Sequence, residues 1–125
     1  LGTTGDSTIA GAVKAAVAHG KGVVVDTIGV KDRVKRAKEA IALGAEFVEL
    51  HAGLDEQAED GYSIQVLIDE AARAGVKVSI AGGVNSSSIT AVKQSGAIVA
   101  VAGAAIYGAE DPAQAAKELN ELLNA

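Results

Sequence analysis

The sequence predicts an α/β fold made of repeated parallel βα units. Four glycines each stand where a helical pattern ends, and a short apolar strand follows each of them: Gly20, Gly44, Gly75 and Gly96. This alternation is typical of right-handed βαβ units in a parallel sheet. Only 2% of the residues are aromatic, so the core has to be built from Val, Ile, Leu and Ala, as in sheets covered by helices. The length predicts a single domain, residues 1–125. This is about half the roughly 250 residues of a (β/α)8 barrel.

The first elements follow from capping residues and periodicity. Leu1–Asp6 is interpreted as the end of a strand-to-helix loop, and Asp6 or Ser7 is expected to cap a helix from Thr8 to His19. Gly22–Asp26 is predicted to be a buried strand that ends in a carboxylate. A helix from about Asp32 to Leu43 should bury Val34, Ala37, Ala40 and Ile41 and expose a basic face of Lys31, Arg33, Lys35, Arg36 and Lys38 to solvent.

The later elements repeat this pattern. The predicted strands are Ala45–Leu50, Val76–Ala81 and Ala97–Ala102, and Leu54–Gly61 is expected to be the longest irregular segment. The predicted helices run from Ser63 to Ala74, from Ser87 or Ser88 to Gln94, and from Pro112 to about Asn124, with Asp111 as the N-cap of the last. The sequence therefore predicts four strands and five helices.

Composition limits the classes of partner. A net charge of −5 and the scarcity of aromatic rings oppose nucleic-acid binding and attraction to anionic lipid, so a small-molecule ligand is expected. Cysteine is absent, which excludes disulfides and thiol catalysis and fits a reducing cytoplasm. No long apolar run or basic-then-apolar leader is visible, so neither a membrane span nor a secretory signal is expected.

The predicted strands all end at one edge of the sheet, the edge where parallel α/β folds place their ligands. That edge should collect Asp26, His51, Gly82-Gly83 and Gly103. In VKVSIAGGV, residues 76–84, a strand runs into two glycines and then a Ser-rich helix start. Glycine lets an anion approach the backbone, and a helix N-terminus favours negative charge, so this segment is a candidate phosphate site. An ordinary tight βα turn is the alternative interpretation.

Two side chains at this edge are candidate catalytic groups. Side chains alternate along a strand, so Glu49 and His51 should point away from the helices if Val48 and Leu50 point toward them. A charged side chain inside the sheet costs free energy unless it is paired or functional, and this favours a functional role for His51. The same argument applies to Asp26, a carboxylate at the end of a buried strand. The alternatives are a hydrogen-bonded structural histidine and a carboxylate that only fixes its loop.

Other polar residues give weaker signals. Asp55 and Glu56 form either a substrate loop or a solvated acidic segment, and His19 is explained by its place at a helix C-terminus. No His-x-His, H-E-x-x-H or calcium-loop pattern occurs, so no metal site is expected within these residues. Ser79 lacks the setting of a hydrolase nucleophile.

With these residues assembled, the chain resembles the 3-hexulose-6-phosphate synthase family, in the orotidine-monophosphate-decarboxylase suprafamily of barrels. The resemblance covers nearly the whole chain and is carried by DSTIAGAVK (6–14), KGVVVDTIG (21–29), FVELHAGLDEQA (47–58), IAGGV (80–84) and VAVAGAAIYG (99–108). HAGLDEQA together with AGGV is the specific part, because either glycine turn alone is common.

The resemblance implies a Mg²⁺-dependent condensation of formaldehyde with D-ribulose 5-phosphate, in the ribulose monophosphate pathway. It implies His51 and Asp26 as catalytic residues, and backbone at Gly82, Gly83, Gly103 and Ala104 as the phosphate site. Many relatives have a second glycine where this chain has Ala104, and the added methyl should tighten the approach of the phosphate.

One departure stands out. The family's Asp-x-Lys-x-x-Asp motif, which supplies the metal ligand and the proton-handling lysine, does not occur. The chain is therefore expected to match the C-terminal half of the barrel, to be inactive alone, and to pair with another copy as a homodimer or with an N-terminal half. Its uncovered sheet face is expected to include Val24, Phe47 and Val78. A non-catalytic, self-associating half-barrel that binds phosphosugars is the alternative, as is a pentose-phosphate epimerase or decarboxylase, although HAGLDEQA argues against the last two.

Overall fold

The computed structural model describes residues 1–125 and contains one parallel four-stranded sheet. The strands are β1 (Val24–Asp26), β2 (Phe47–His51), β3 (Val78–Ala81) and β4 (Val99–Val101). Their order in the sheet is β1-β2-β3-β4, so each strand pairs with the next one along the chain. This is the arrangement of a half-barrel, as the βα repeats predicted.

Seven helices accompany the strands. They are α1 (Asp6–Ala18), α2 (Arg33–Ala42), α3 (Leu54–Gln57), α4 (Gln65–Ala74), α5 (Ile89–Gln94), α6 (Ala104–Tyr107) and α7 (Pro112–Asn124). Five correspond to the predicted helices. The prediction of five in all was wrong, because α3 and α6 are single turns of four residues, too short to show a helical period.

The two faces of the sheet differ in cover. The face under the helices is apolar and forms the core with them. Its almost fully buried side chains are Val25, Val48, Leu50, Val78 and Ile80. The opposite face carries Glu49, His51 and Asp26, as alternation predicted, together with exposed Val24, Val99 and Val101. Val78 was wrongly predicted there: it pairs with Val48 rather than Phe47, so it faces the helices.

Helix caps were predicted with mixed success. Asp111 caps α7 as predicted, by accepting a hydrogen bond from Gln114 N. Asp32, which was expected to be the start of the helix, is the cap of α2 and accepts from Lys35 N. The predicted Asp6 or Ser7 cap of α1 was wrong, since Gly5 occupies that position without a side-chain bond. Asp6 instead accepts a hydrogen bond from Nη1 of Arg36, 2.7 Å away.

The basic face of α2 is not fully solvated. Arg33 is only 6% exposed and forms ion pairs with Glu70 and Glu56, and Arg36 is half-buried. The prediction failed because these acidic partners lie far along the sequence. None of the helices has both the length and the apolar character needed to cross a membrane.

Candidate active site

A pocket of about 690 Å³ opens where the strands end. Its lining brings together most of the residues predicted for the site: His51, Gly82, Gly83, Gly103 and Ala104, with Glu49, Gln57 and Tyr107 beside them. Asp26 lies behind His51 and does not line the pocket. Asp55 and Glu56 do not line it either and face a separate surface depression with Lys31 and Arg33.

His51 is held by Asp26. Nδ1 of His51 lies 3.0 Å from both carboxylate oxygens of Asp26, and the Ile28 amide donates to the same carboxylate at 2.8 Å. A carboxylate only accepts, so Nδ1 carries the shared proton. Nε2 makes no hydrogen bond within the chain, and the ring lines the pocket. Asp26 thus fixes the tautomer and orientation of a histidine that can exchange a proton through Nε2.

Thr27 fixes the spacing of the two strands at this point. Its hydroxyl is fully buried, donates to the Glu49 carbonyl at 2.7 Å and accepts from the His51 amide at 3.3 Å. The side chain therefore joins the end of β1 to the end of β2. This contact keeps Asp26 and His51 in register.

Glu49 shares the face of Asp26 and His51. Its Oε2 lies 3.6 Å from Nδ1 of His51. Burial, reinforced by the negative charge of Asp26, raises the pKa of the Glu49 carboxyl above its ordinary value. The result is a carboxyl that holds its proton to higher pH than a solvated glutamate.

The Gly82-Gly83 turn requires glycine for two different reasons. Both residues have positive φ, 124° and 86°, which L side chains rarely adopt. A Cβ on Gly82 would also lie 2.7 Å from the carbonyl oxygen of Ala52, whereas one on Gly83 would meet only ordinary contacts. Neither amide donates a hydrogen bond within the chain, and nor does the amide of Gly103. The pocket therefore contains backbone donors that can serve an anion.

Three lining or adjacent residues were missed by the sequence analysis. Gln57 lines the pocket and donates to the Ala52 carbonyl at 2.8 Å, and Tyr62 donates to the Gly82 carbonyl at 2.8 Å. Tyr107 is 72% exposed at the pocket mouth. The available signals were the scarcity of aromatic residues and the position of Gln57 inside HAGLDEQA.

Asp26, Glu49 and His51 also form a cluster that could hold a metal ion, because one donor atom from each lies within 4.8 Å of the others. No metal site was expected within these residues, because no spacing motif in the sequence marks three residues that lie on two strands. Carboxylate oxygens are ligands that Mg²⁺ accepts, while Nδ1 of His51 is already bonded to Asp26. The cluster therefore offers two oxygen-donating side chains.

The chain is similar to known proteins over nearly its whole length. A 3-hexulose-6-phosphate synthase of Mycobacterium gastri is 62% identical over 119 residues, which cover 95% of this chain and 58% of that protein. One of Methylomonas aminofaciens is 43% identical over 123 residues, covering 98% and 59%. A crystal structure of 3-hexulose-6-phosphate synthase superposes with a TM-score of 0.95 at 60% identity, covering 98% and 59%.

This chain thus spans somewhat under three fifths of the length of the relatives it matches. The model of the orotidine 5'-phosphate decarboxylase / HUMPS family matches residues 1–119. That match includes all four strands and every residue of the pocket described above. The chain belongs to the orotidine 5'-phosphate decarboxylase / HUMPS family.

Proposed function

We propose that this chain forms the phosphate-binding and histidine-bearing part of an aldehyde-lyase that condenses formaldehyde with D-ribulose 5-phosphate to D-arabino-hex-3-ulose 6-phosphate. The observation that supports the proposal is that one pocket contains two features. One is His51, which is oriented by Asp26, and the other is a set of glycine N–H groups that have no hydrogen-bond acceptor within the chain. The relatives named 3-hexulose-6-phosphate synthase supply the substrate class.

The glycine turns would bind the phosphate. Gly82, Gly83, Gly103 and Ala104 all line the pocket, and the N–H groups of the three glycines have no acceptor within the chain. Since no Lys or Arg side chain lines the pocket, binding would depend on these short-range donors. Because His51 lines the same pocket, the sugar of a phosphate ester bound there would share the cavity with the histidine.

His51 would handle a proton at Nε2. The condensation removes a proton from ribulose 5-phosphate, forms one carbon–carbon bond to formaldehyde and delivers a proton to the new hydroxyl group. An imidazole at the pocket wall, oriented by Asp26, can position or protonate a substrate oxygen. The first proton would be removed from ribulose 5-phosphate by a lysine and not by His51. The family resemblance assigns this lysine to the Asp-x-Lys-x-x-Asp motif, which is not present in these residues.

A divalent cation fits the acidic cluster. Mg²⁺, when bound, would stabilise negative charge on substrate oxygen. The family resemblance assigns the Mg²⁺ ligand to the Asp-x-Lys-x-x-Asp motif, which these residues lack. Asp26 and Glu49 are the carboxylates of this chain that could also hold the ion. We further propose that the exposed apolar face of the sheet is covered either by a second copy of the chain, in a homodimer, or by an N-terminal half, and that the protein works in the cytoplasm.

The test uses the gene product that contains these residues, incubated with ribulose 5-phosphate, formaldehyde and Mg²⁺. We expect formaldehyde-dependent formation of a six-carbon ketose phosphate. His51→Gln should lower kcat by about 10²- to 10⁴-fold. His19→Gln is the matched control, because His19 is exposed and its side chain makes no hydrogen bond. Epimerisation or decarboxylation of a pentose or orotidine phosphate without aldol activity would overturn the proposal.

A further inference from the structure

The segment from Leu54 to Tyr62 acts as a brace between helix α2 and the Gly82-Gly83 turn, because hydrogen bonds hold it at Glu56 and at Tyr62. Arg33, the first residue of α2, donates through Nε to Glu70 at 2.7 Å and through Nη1 to both oxygens of Glu56 at 2.9 and 3.0 Å. Glu56 belongs to α3, which directly follows the strand that carries His51. Tyr62 is the last residue of the segment that begins with α3, and its hydroxyl donates a hydrogen bond to the Gly82 carbonyl.

The anchor of this brace is buried. Arg33 is 6% exposed and Glu70 is 7% exposed. Burial lowers the pKa of the Arg33 guanidinium, but the hydrogen bonds and charges of Glu70 and Glu56 outweigh that effect and leave the pKa raised. Removing Arg33 would leave the buried Glu70 carboxylate without its cationic partner. The segment from Leu54 to Tyr62 is therefore tied to α2 and α4.

At the end of the brace, Tyr62 contacts the peptide group between Gly82 and Gly83. The Tyr62 hydroxyl donates to the Gly82 carbonyl at 2.8 Å, and a Cβ on Gly83 would lie 3.7 Å from the Tyr62 ring. In a trans peptide the carbonyl and the following N–H point in opposite directions. With the Gly82 carbonyl held by Tyr62, the Gly83 N–H is directed away from Tyr62. No atom of the chain accepts a hydrogen bond from that N–H.

Two glycines with positive φ would not hold this orientation by themselves. Glycine populates positive and negative φ about equally, so the turn has alternative peptide orientations of similar energy. Burial raises the pKa of the Tyr62 hydroxyl above its ordinary value, so it stays protonated and can donate at any physiological pH. One side-chain bond then selects one orientation.

We propose that Tyr62 is a positioning residue that orients the Gly83 amide toward a bound phosphate ester, and that Arg33 and Glu56 hold Tyr62 in place. This inference rests on the proposed function, because it specifies how the same pocket selects a phosphorylated substrate. Tyr62 does not touch the substrate carbons. Its effect falls on phosphate affinity and leaves the chemical step unaffected.

The experiment compares Tyr62→Phe with the unchanged gene product in two measurements. The first is steady-state kinetics with ribulose 5-phosphate together with titration by inorganic phosphate. We expect KM and the phosphate Kd to rise about 5- to 10-fold, the size expected for one lost hydrogen bond, while kcat changes less than twofold. A residue that only supported the fold would not separate KM from kcat in this way.

The second measurement needs no ligand. In ¹⁵N-labelled protein, Tyr62→Phe should shift and broaden the Gly83 amide resonance as the peptide samples a second orientation. Ser95→Ala is the matched control: it also removes a hydroxyl-to-carbonyl bond, of 2.6 Å to Val92, at the opposite end of the sheet. It should leave Kd and the Gly83 resonance unchanged.

The outcomes separate the two proposals. An unperturbed Gly83 amide, or an unchanged Kd in Tyr62→Phe alongside normal phosphate binding by the parent protein, overturns the positioning role and leaves the aldolase proposal standing. A parent protein that binds neither phosphate nor ribulose 5-phosphate overturns both. Glu56→Gln, which keeps an acceptor for Arg33 but removes its charge, should give a smaller rise in Kd than Tyr62→Phe.

Discussion

Nδ1 of His51 lies 3.0 Å from each carboxylate oxygen of Asp26, with the two residues at the ends of adjacent parallel strands. The contact leaves Nε2 as the free nitrogen on the pocket side. A histidine in this setting has one defined tautomer, which is the requirement for directional proton transfer.

Asp26→Asn should disturb that tautomer while keeping the shape of the site. The amide oxygen can still accept from Ile28, but the amide group can present an N–H to Nδ1 and so favour the other tautomer. We expect kcat of the proposed aldol reaction to fall by about 10²-fold or more, with KM within a few-fold. The ¹⁵N shifts of the His51 ring report the tautomer directly. Unchanged ring shifts and unchanged kcat would contradict the orienting role.

Glu49 should make stability depend on pH. Its pKa is raised in the fold, so its contribution to the free energy of unfolding is greatest below its ordinary pKa of 4.5 and is lost as pH rises through the raised value. Glu49→Gln imitates the protonated form, and its stability relative to the parent should increase over the same rise in pH. Urea unfolding at several pH values measures the difference. Exposed Glu110→Gln is the control, and a parallel pH profile for both variants would refute the assignment.

Gly82→Ala should damage the turn more than Gly83→Ala. Both substitutions strain the backbone at positive φ, but only the Cβ of residue 82 collides with the Ala52 carbonyl. We expect Gly82→Ala to cost at least about 1 to 3 kcal/mol of stability and to abolish phosphate binding. Gly83→Val, which adds a β-branched side chain at positive φ, should also block binding. Gly11→Ala, at a helical position with open space, is the control and should be neutral or stabilising.

A polypeptide of residues 1–125 alone should show no aldol turnover. The catalytic lysine and metal ligand implied by the family resemblance belong to a motif that these residues lack. Adding a separately made N-terminal half should restore part of the activity. Turnover by residues 1–125 at about 1 s⁻¹ or faster, typical of enzymes, would show that the His51 pocket is sufficient.

The same polypeptide should gain stability with concentration. Val24, Val99 and Val101 are each at least 40% exposed on the face opposite the helices, and β1 and β4 are free edges. Covering apolar surface yields about 2.5 kcal/mol per 100 Å², so association should raise the melting temperature. Sedimentation across a range of concentrations tests this, and a stable monomer with a constant melting temperature would rule it out.

Local patterns were enough to predict the order of the four strands and the five longer helices, and the sheet edge where the candidate site lies. Glycine stops, apolar runs and strand alternation depend on neighbours in sequence, and they located His51, Asp26 and the glycine turns. Strand bounds came out too long by about two residues at their starts, because only residues paired with a neighbouring strand extend the ladder. What local patterns missed were contacts between distant residues: the burial of Arg33 by Glu70, the bond from Tyr62 to Gly82, and the register that turns Val78 toward the helices.

The strand order β1-β2-β3-β4 has a consequence for how the chain reaches this structure. Each strand finds its partner one βα unit away, so every pairing closes a loop of similar, modest size. Within residues 1–125, no strand pairs with a strand from a distant part of the sequence, so the contact order of these residues is low for a parallel sheet. These four units can therefore assemble in chain order, with each new strand adding to the edge of the strand before it.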